Sequence, residues 1–125
     1  MEKVIETPDA PPAIGPYSQG MRFGNIVITS GQLPIDPETG DVPETPKEQA
    51  HQCLKNVKAV LEAAGSSMSK VKKATVFVRD MEEFSNINEV YKQYFTVPFP
   101  ARSLVEVSRL PKDVKVEIEV LATVD

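Results

Sequence analysis

Pro100-Ala101-Arg102-Ser103-Leu104-Val105-Glu106-Val107, followed by Arg109-Leu110-Pro111-Lys112-Asp113 and then Val116-Glu117-Ile118-Glu119, is the stretch on which the reading of this chain turns. β-Branched and apolar residues dominate its two ends, and a proline-containing polar run separates them. It reads as two strands around a tight turn. An arginine and several carboxylates lie inside those strand-forming runs. A charge within a strand needs a partner, solvent or a ligand, because burying it alone is costly. Arg102 and Glu117 are therefore either a structural ion pair or parts of a small-molecule site.

Working outward, the segments upstream supply the rest of an α+β chain. Lys3 to Thr7 forms a short candidate strand, and Pro8, Pro11 and Pro12 then favour extended backbone. Tyr17 to Arg22 and Ile26 to Ser30 read as a hairpin through Phe23-Gly24-Asn25. Gln32 to Thr45 carries Pro34, Pro37, Gly40 and Pro43 and reads as a loop. A helix follows, with Thr45 as N-cap, Pro46 in the first position and Glu48 completing a capping box. Ala50, Cys53, Leu54, Val57, Leu61 and Ala64 recur at helical steps on one face, and Gly65 stands where a left-handed cap ends it. Ala74 to Arg79 reads as a strand. A second helix is predicted from near Met81 to Thr96, capped by Asp80 with Glu83 and ended by Pro98 and Pro100. The last strands span Arg102 to Ser108 and Lys115 to Ala122.

Strands, helix, strand, helix, strands predict one domain over residues 1–125, a mixed sheet with two helices on one face. Period-two alternation sorts the last strand into Val116, Ile118, Val120 and Ala122 on one face and Lys115, Glu117, Glu119 and Leu121 on the other. In the strand before it, Arg102, Leu104 and Glu106 share a face. Grouping these with the Glu117 face gives a mixed surface away from the helices. Such a surface is too apolar to stay wet and too charged for a closed core, so a homo-oligomer with sites at its interfaces is expected.

Composition narrows the function. The chain has 125 residues, 41% hydrophobic and 26% charged, with a net charge of −4. That balance opposes binding to a phosphate backbone, which favours a basic stripe. The longest apolar runs fall far short of a membrane span, and the N-terminus lacks the pattern of an export signal. A lone cysteine, Cys53, excludes an internal disulfide and suits a reducing cytoplasm. One His and one Cys leave little for a zinc site, so no metal is expected.

Several side chains are candidates for a site, each beside a plainer reading. Arg102 either pairs with Glu106 or Glu117 or clamps a carboxylate through its planar fork. Glu117 is a pair partner or a base that orients water. Asn88, four residues after Phe84, either bonds to backbone or reaches a ligand. Tyr17 is a packing anchor or a ligand hydroxyl. At Ser30-Gly31 the glycine permits close approach of another group, and an amide there is a candidate anion donor. Cys53 reads as inert core and His51 as solvated. Nothing matches a phosphate loop or a Ser/His/Asp arrangement.

The chain as a whole resembles the reactive intermediate deaminase family, also called RidA or YjgF-like. Five blocks carry the resemblance: Ala13-Ile14-Gly15-Pro16-Tyr17, Ile28-Thr29-Ser30-Gly31-Gln32, Asn56-Val57 with Ala63-Ala64-Gly65, Thr75-Val76-Phe77-Val78, and Pro100 through Asp113. It implies a bacillus-type chorismate-mutase-like fold, a homotrimer with a central barrel of sheets, and clefts between subunits. It further implies cofactor-free hydrolysis of 2-iminobutanoate and 2-iminopropanoate to 2-keto acids and ammonia. These imines arise from pyridoxal-phosphate-dependent serine and threonine dehydratases. By the same resemblance Arg102 holds the substrate carboxylate and Glu117 activates water, while Tyr17, Ser30, Gly31, Asn88 and Leu104 line the cleft. One position departs: many members carry cysteine where this chain has Leu104, which removes any thiol contribution there. A non-catalytic 2-keto acid sensor is the alternative reading, and a ribonuclease or translation inhibitor a further one.

Overall fold

The computed structural model describes residues 2–125. Six strands form one mixed sheet: β1 (Glu2–Ile5), β2 (Gly20–Phe23), β3 (Ile26–Thr29), β4 (Val71–Val78), β5 (Ala101–Glu106) and β6 (Val116–Thr123). Their order in the sheet is β1-β2-β3-β6-β4-β5. All neighbours are antiparallel except β4 and β5, which run parallel. Two helices, α1 (Pro46–Ala63) and α2 (Phe84–Tyr91), complete the fold.

The first helix forms as its sequence predicts. Thr45 Oγ1 accepts from the Glu48 amide at 3.1 Å and its hydroxyl donates to Glu48 Oε1 at 2.9 Å. Gly65 takes a φ of +85°, the left-handed turn-off that a β-carbon would oppose. Leu54, Val57, Val60 and Leu61 of α1 are fully buried against Val27, Val76, Val116 and Ile118 of the sheet. Each such side chain contributes on the order of 1.5–3 kcal/mol by leaving water. Buried polar groups on α1 tie down the loop after β3. Asn56 Nδ2 donates to the Leu33 and Ile35 carbonyls, both at 2.9 Å, and Gln49 Nε2 donates to the Pro43 carbonyl at 2.8 Å.

Other predicted elements are trimmed. The second helix is a 3-10 turn, Met81–Glu83, leading into an α-helix that ends at Tyr91, well before Thr96. Asp80 caps the turn by accepting from the Glu82 amide at 2.9 Å, whereas the Glu83 side chain makes no cap hydrogen bond to the backbone and accepts instead from Asn86 Nδ2 at 2.9 Å. His51 is not simply solvated: its Nδ1 lies 3.0 Å from the Tyr94 hydroxyl. Cys53 is buried as expected, and burial raises its thiol well above the ordinary range.

The largest correction concerns the stretch quoted first. β5 and β6 are not neighbours, because β4 lies between them and the connection is a crossover rather than a hairpin. Directly opposed residues share a sheet face. Ala74, Val76 and Val78 oppose Arg102, Leu104 and Glu106 on one side of β4, and Val120, Ile118 and Val116 on the other. Arg102 and Leu104 therefore lie on the face that carries the helices, contrary to the expected grouping. Glu117 and Glu119 oppose Phe77 and Thr75 and lie on the other face, with Ser103 and Val105. That second face remains mixed, since Ile28, Leu121, Phe77 and Val105 join the charges there, with Ile28 39% and Val105 41% exposed.

Candidate functional site

Phe84, Asn88 and Tyr91 fall at successive turns of α2, so one face of the helix presents two rings and an amide toward β5. Arg102 meets all three. Its Nη1 donates to Asn88 Oδ1 at 2.7 Å. Its guanidinium carbon lies 4.8 Å from the Tyr91 ring centre and 5.8 Å from that of Phe84, distances at which a ring face attracts a cation. Arg102 is half-buried and forms no salt bridge among the described residues. The pairing with Glu106 is absent, and Glu106 Oε1 instead accepts from the Met81 amide at 2.8 Å. Pairing with Glu117 is ruled out by the opposite sheet faces. A guanidinium carries five N–H donors, so one bond to Asn88 leaves a fork open for a carboxylate. Leu104, two residues on, packs half-buried against the core.

Glu117 sits in a separate recess lined by Ile14, Tyr17, Ser30, Gly31, Leu33, Pro111 and Glu119. Burial, then the neighbouring Glu119 charge, pushes its carboxyl above the ordinary glutamate range. Gly31 is what admits the carboxylate: a β-carbon there would lie 1.9 Å from Glu117 Oε2. The Ser30 amide is already committed, donating to the Gln19 carbonyl at 2.8 Å, whereas the Gly31 amide makes no hydrogen bond among the described residues. Of the Ser30-Gly31 pair, only Gly31 can offer a main-chain donor. Tyr17 is fixed locally, its hydroxyl accepting from the Ile14 amide at 3.2 Å. Gln19, 4% exposed, anchors this segment from below. Its Oε1 accepts from the Thr7 amide at 2.7 Å and its Nε2 donates to the Pro11 carbonyl at 2.8 Å.

The predicted site residues thus assemble as two groups. Tyr17, Ser30, Gly31 and Glu117 come together in one recess. Asn88 and Arg102 come together on the opposite sheet face, with Leu104 beside them on β5. Phe84 and Tyr91 join the site although the sequence marks neither as a site residue; their helical spacing around Asn88 is the signal that points to them. The Tyr91 hydroxyl is buried without a hydrogen-bond partner among the described residues. Among those residues no group of His, Cys, Asp and Glu side chains could hold a metal ion, and no helix is long and apolar enough to cross a membrane.

Comparison with known proteins adds to this geometry. The family described as Endoribonuclease L-PSP matches residues 7–124. The chain is 54% identical to the 2-iminobutanoate/2-iminopropanoate deaminase of Escherichia coli K12, covering 98% of each. The crystal structure of E. coli TdcF with bound serine is similar at a TM-score of 0.94 and 51% identity, over 98% of this chain and 99% of that one. RidA from an Antarctic Psychrobacter matches at a TM-score of 0.95 and 44% identity, over 98% of this chain and 99% of that one.

Proposed function

The chain belongs to the reactive intermediate deaminase family, matched along its length through the endoribonuclease L-PSP model, and on that premise we propose that it hydrolyses 2-iminobutanoate and 2-iminopropanoate to the 2-keto acids and ammonia. The observation that carries the reading is Arg102: a half-buried guanidinium, braced by Asn88 and two rings, with an open fork and no carboxylate of its own among the described residues.

The reaction is a hydrolysis that balances with water alone. Arg102 holds the substrate carboxylate through two parallel bonds and fixes the protonated imine. A water oxygen bonds to the imine carbon as the π pair moves to nitrogen. Glu117 takes a proton from that water and returns it to the nitrogen. Glu117 then takes the hydroxyl proton as the C=O bond forms and the C–N bond breaks, and passes it to the departing ammonia, which leaves as ammonium. A carboxyl held above its usual range suits this exchange better than an ordinary one. A protonated imine is already electrophilic, so orienting the reactants does most of the work. Tyr17, the Gly31 amide and Leu104 complete the cleft walls.

The active unit in this proposal is a homotrimer. Arg102 and Glu117 lie on opposite faces of one sheet with β4 between their strands, so a ligand that uses both must bridge two copies. The uncovered mixed face, with Ile28, Phe77, Val105 and Leu121, supports sheet-to-sheet packing around a central barrel. Residues 1–125 act as one domain, in the cytoplasm, beside the pyridoxal-phosphate-dependent serine and threonine dehydratases that release the imines.

The test is a coupled assay in which a threonine dehydratase generates the imine. The wild-type chain accelerates loss of the imine signal, while Arg102→Ala leaves only the uncatalysed rate. Glu117→Gln lowers turnover but keeps binding of 2-oxobutanoate. Binding of the keto acid without any rate change would instead identify a sensor, and a folded Arg102→Ala trimer with full activity would remove the clamp.

A further inference from the structure

The run Arg109-Leu110-Pro111-Lys112-Asp113 supplies no group to the chemistry above, yet its backbone is unusually constrained. Lys112 and Asp113 have φ values of 58° and 55°, and among the described residues they alone, outside glycine, are left-handed. Any residue with a β-carbon resists that conformation, and it persists where surrounding groups over-determine it. Here Arg109 grips the turn from one side, Nε donating to Asp113 Oδ1 at 2.9 Å and Nη2 to Oδ2 at 3.4 Å. Arg79 Nη1 lies 4.0 Å from the same carboxylate. The Asp113 amide donates back to the Leu110 carbonyl at 3.0 Å.

The turn sends adjacent residues into adjacent recesses. Pro111 lines the Glu117 recess, and Lys112 lines a second one of about 220 Å³. Ile14, Tyr17, Gly31 and Leu33 form a wall common to both. The two recesses carry opposite charge. The first holds Glu117 and Glu119, whereas Lys112 is the sole charged residue lining the second, among Pro11, Pro12, Ile35 and other apolar groups. Lys112 forms no ion pair among the described residues.

An anionic substrate approaching a chain of net charge −4, toward two carboxylates, meets repulsion that a local cation would offset. We propose that the Lys112 recess is a capture site for small aliphatic 2-imino and 2-keto acids, the carboxylate resting on the Lys112 ammonium and the alkyl chain against the Pro12, Ile14 and Leu33 surface. Tyr17 and Gly31 stand at the shared wall, so the captured acid adjoins the recess that holds Glu117. This rests on the deaminase reading and adds an entry step to it.

The experiment measures kcat/KM in the coupled assay across ionic strength for wild type, Lys112→Met, Lys112→Gly and Lys112→Arg. Glycine accepts the left-handed backbone, so Lys112→Gly removes the charge without straining the turn. Both uncharged variants lose about three- to ten-fold in kcat/KM at low salt, the scale of one partly solvated charge pair. Arginine restores the rate, and the curves converge near 1 M salt, where the screening length falls to about 3 Å. A deficit that persists at high salt, or no deficit at low salt, overturns the capture site while leaving the deaminase reading intact. If the wild type shows no turnover, the deaminase reading fails. Calorimetric binding of 2-oxobutanoate then decides the capture site: a loss of affinity in Lys112→Gly that closes with salt supports it, and equal or absent binding overturns it.

Discussion

Gly31→Ala isolates the positioning of Glu117 from every other feature of the cleft. The added β-carbon would stand 1.9 Å from Glu117 Oε2, 2.7 Å from Cδ and 3.1 Å from Cγ. To reach a contact of about 3.4 Å the carboxylate oxygen must withdraw by about 1.5 Å. Backbone strain is not the issue, because Gly31 is not left-handed and alanine fits its conformation. The colliding atoms end a flexible, half-buried side chain on a surface no helix covers, so the sheet can stay in place while the carboxylate swings away. Replacing glycine by alanine at a compatible site also stabilises by about 0.4–1 kcal/mol through the unfolded chain. Folding stability should therefore change by no more than about 1 kcal/mol. Catalysis should change far more, since a catalytic group misplaced by an ångström costs on the order of 100-fold, or about 2.7 kcal/mol of barrier. Urea unfolding and kcat in the coupled dehydratase assay read the two quantities separately. A double-mutant cycle assigns the cause: in a Glu117→Ala background, Gly31→Ala should have no further effect on the rate. A Gly31→Ala protein with kcat within about three-fold of wild type, or one equally impaired without Glu117, would refute the reasoning.

Three further outcomes follow from the same geometry. Asn88→Asp places a carboxylate 2.7 Å from the Arg102 guanidinium; it should occupy the fork and raise KM for imino acids about ten-fold or more, with Asn88→Ala milder, as steady-state kinetics will read. Glu117, with its folded pKa above the ordinary value of 4.5, binds protons more tightly folded than unfolded, so its contribution to stability falls as pH rises from about 4.5 through the raised value. Glu117→Gln should then gain stability relative to wild type near neutral pH and lose that advantage below about pH 4, measured by urea titration at each pH. Asn56→Ala, which strips partners from the buried Leu33 carbonyl and the part-buried Ile35 carbonyl, should cost about 2–4 kcal/mol by urea unfolding.

Local signals and long-range pairing separated cleanly in this chain. The first helix was legible because its cap, first-turn proline, apolar face and terminal glycine are all encoded within twenty-odd neighbouring residues. The alternation of β6 is legible as well, since Val116, Ile118, Val120 and Ala122 are all apolar and Glu117 and Glu119 charge the other face. β5 offers no such contrast. Arg102, Leu104 and Glu106 against Ser103 and Val105 mixes polar and apolar residues on both faces, so alternation sorts the residues without saying which set meets the core. Its phase comes from the parallel register with β4, a pairing made across α2 and invisible to any local rule.

The phase of β5 bears on function more than on fold. Had β5 and β6 formed a hairpin with Arg102 and Glu117 on one face, a single chain could have closed an ion pair between them. The guanidinium fork would then be occupied, and a ligand would have to displace it. Inserting β4 and turning Arg102 toward α2 separates the two charges and leaves each with an unmet need: a cation without a carboxylate, and a carboxylate in a recess without a cation among its lining residues. Neither can satisfy the other within the chain. An anionic, electrophilic ligand answers both at once, and two copies of the chain can present both to it. In the proposed trimer, the same sheet that keeps the pair from neutralising itself makes turnover a property of the assembly, and the expected outcome of dissociating it is loss of turnover even where each protomer remains folded.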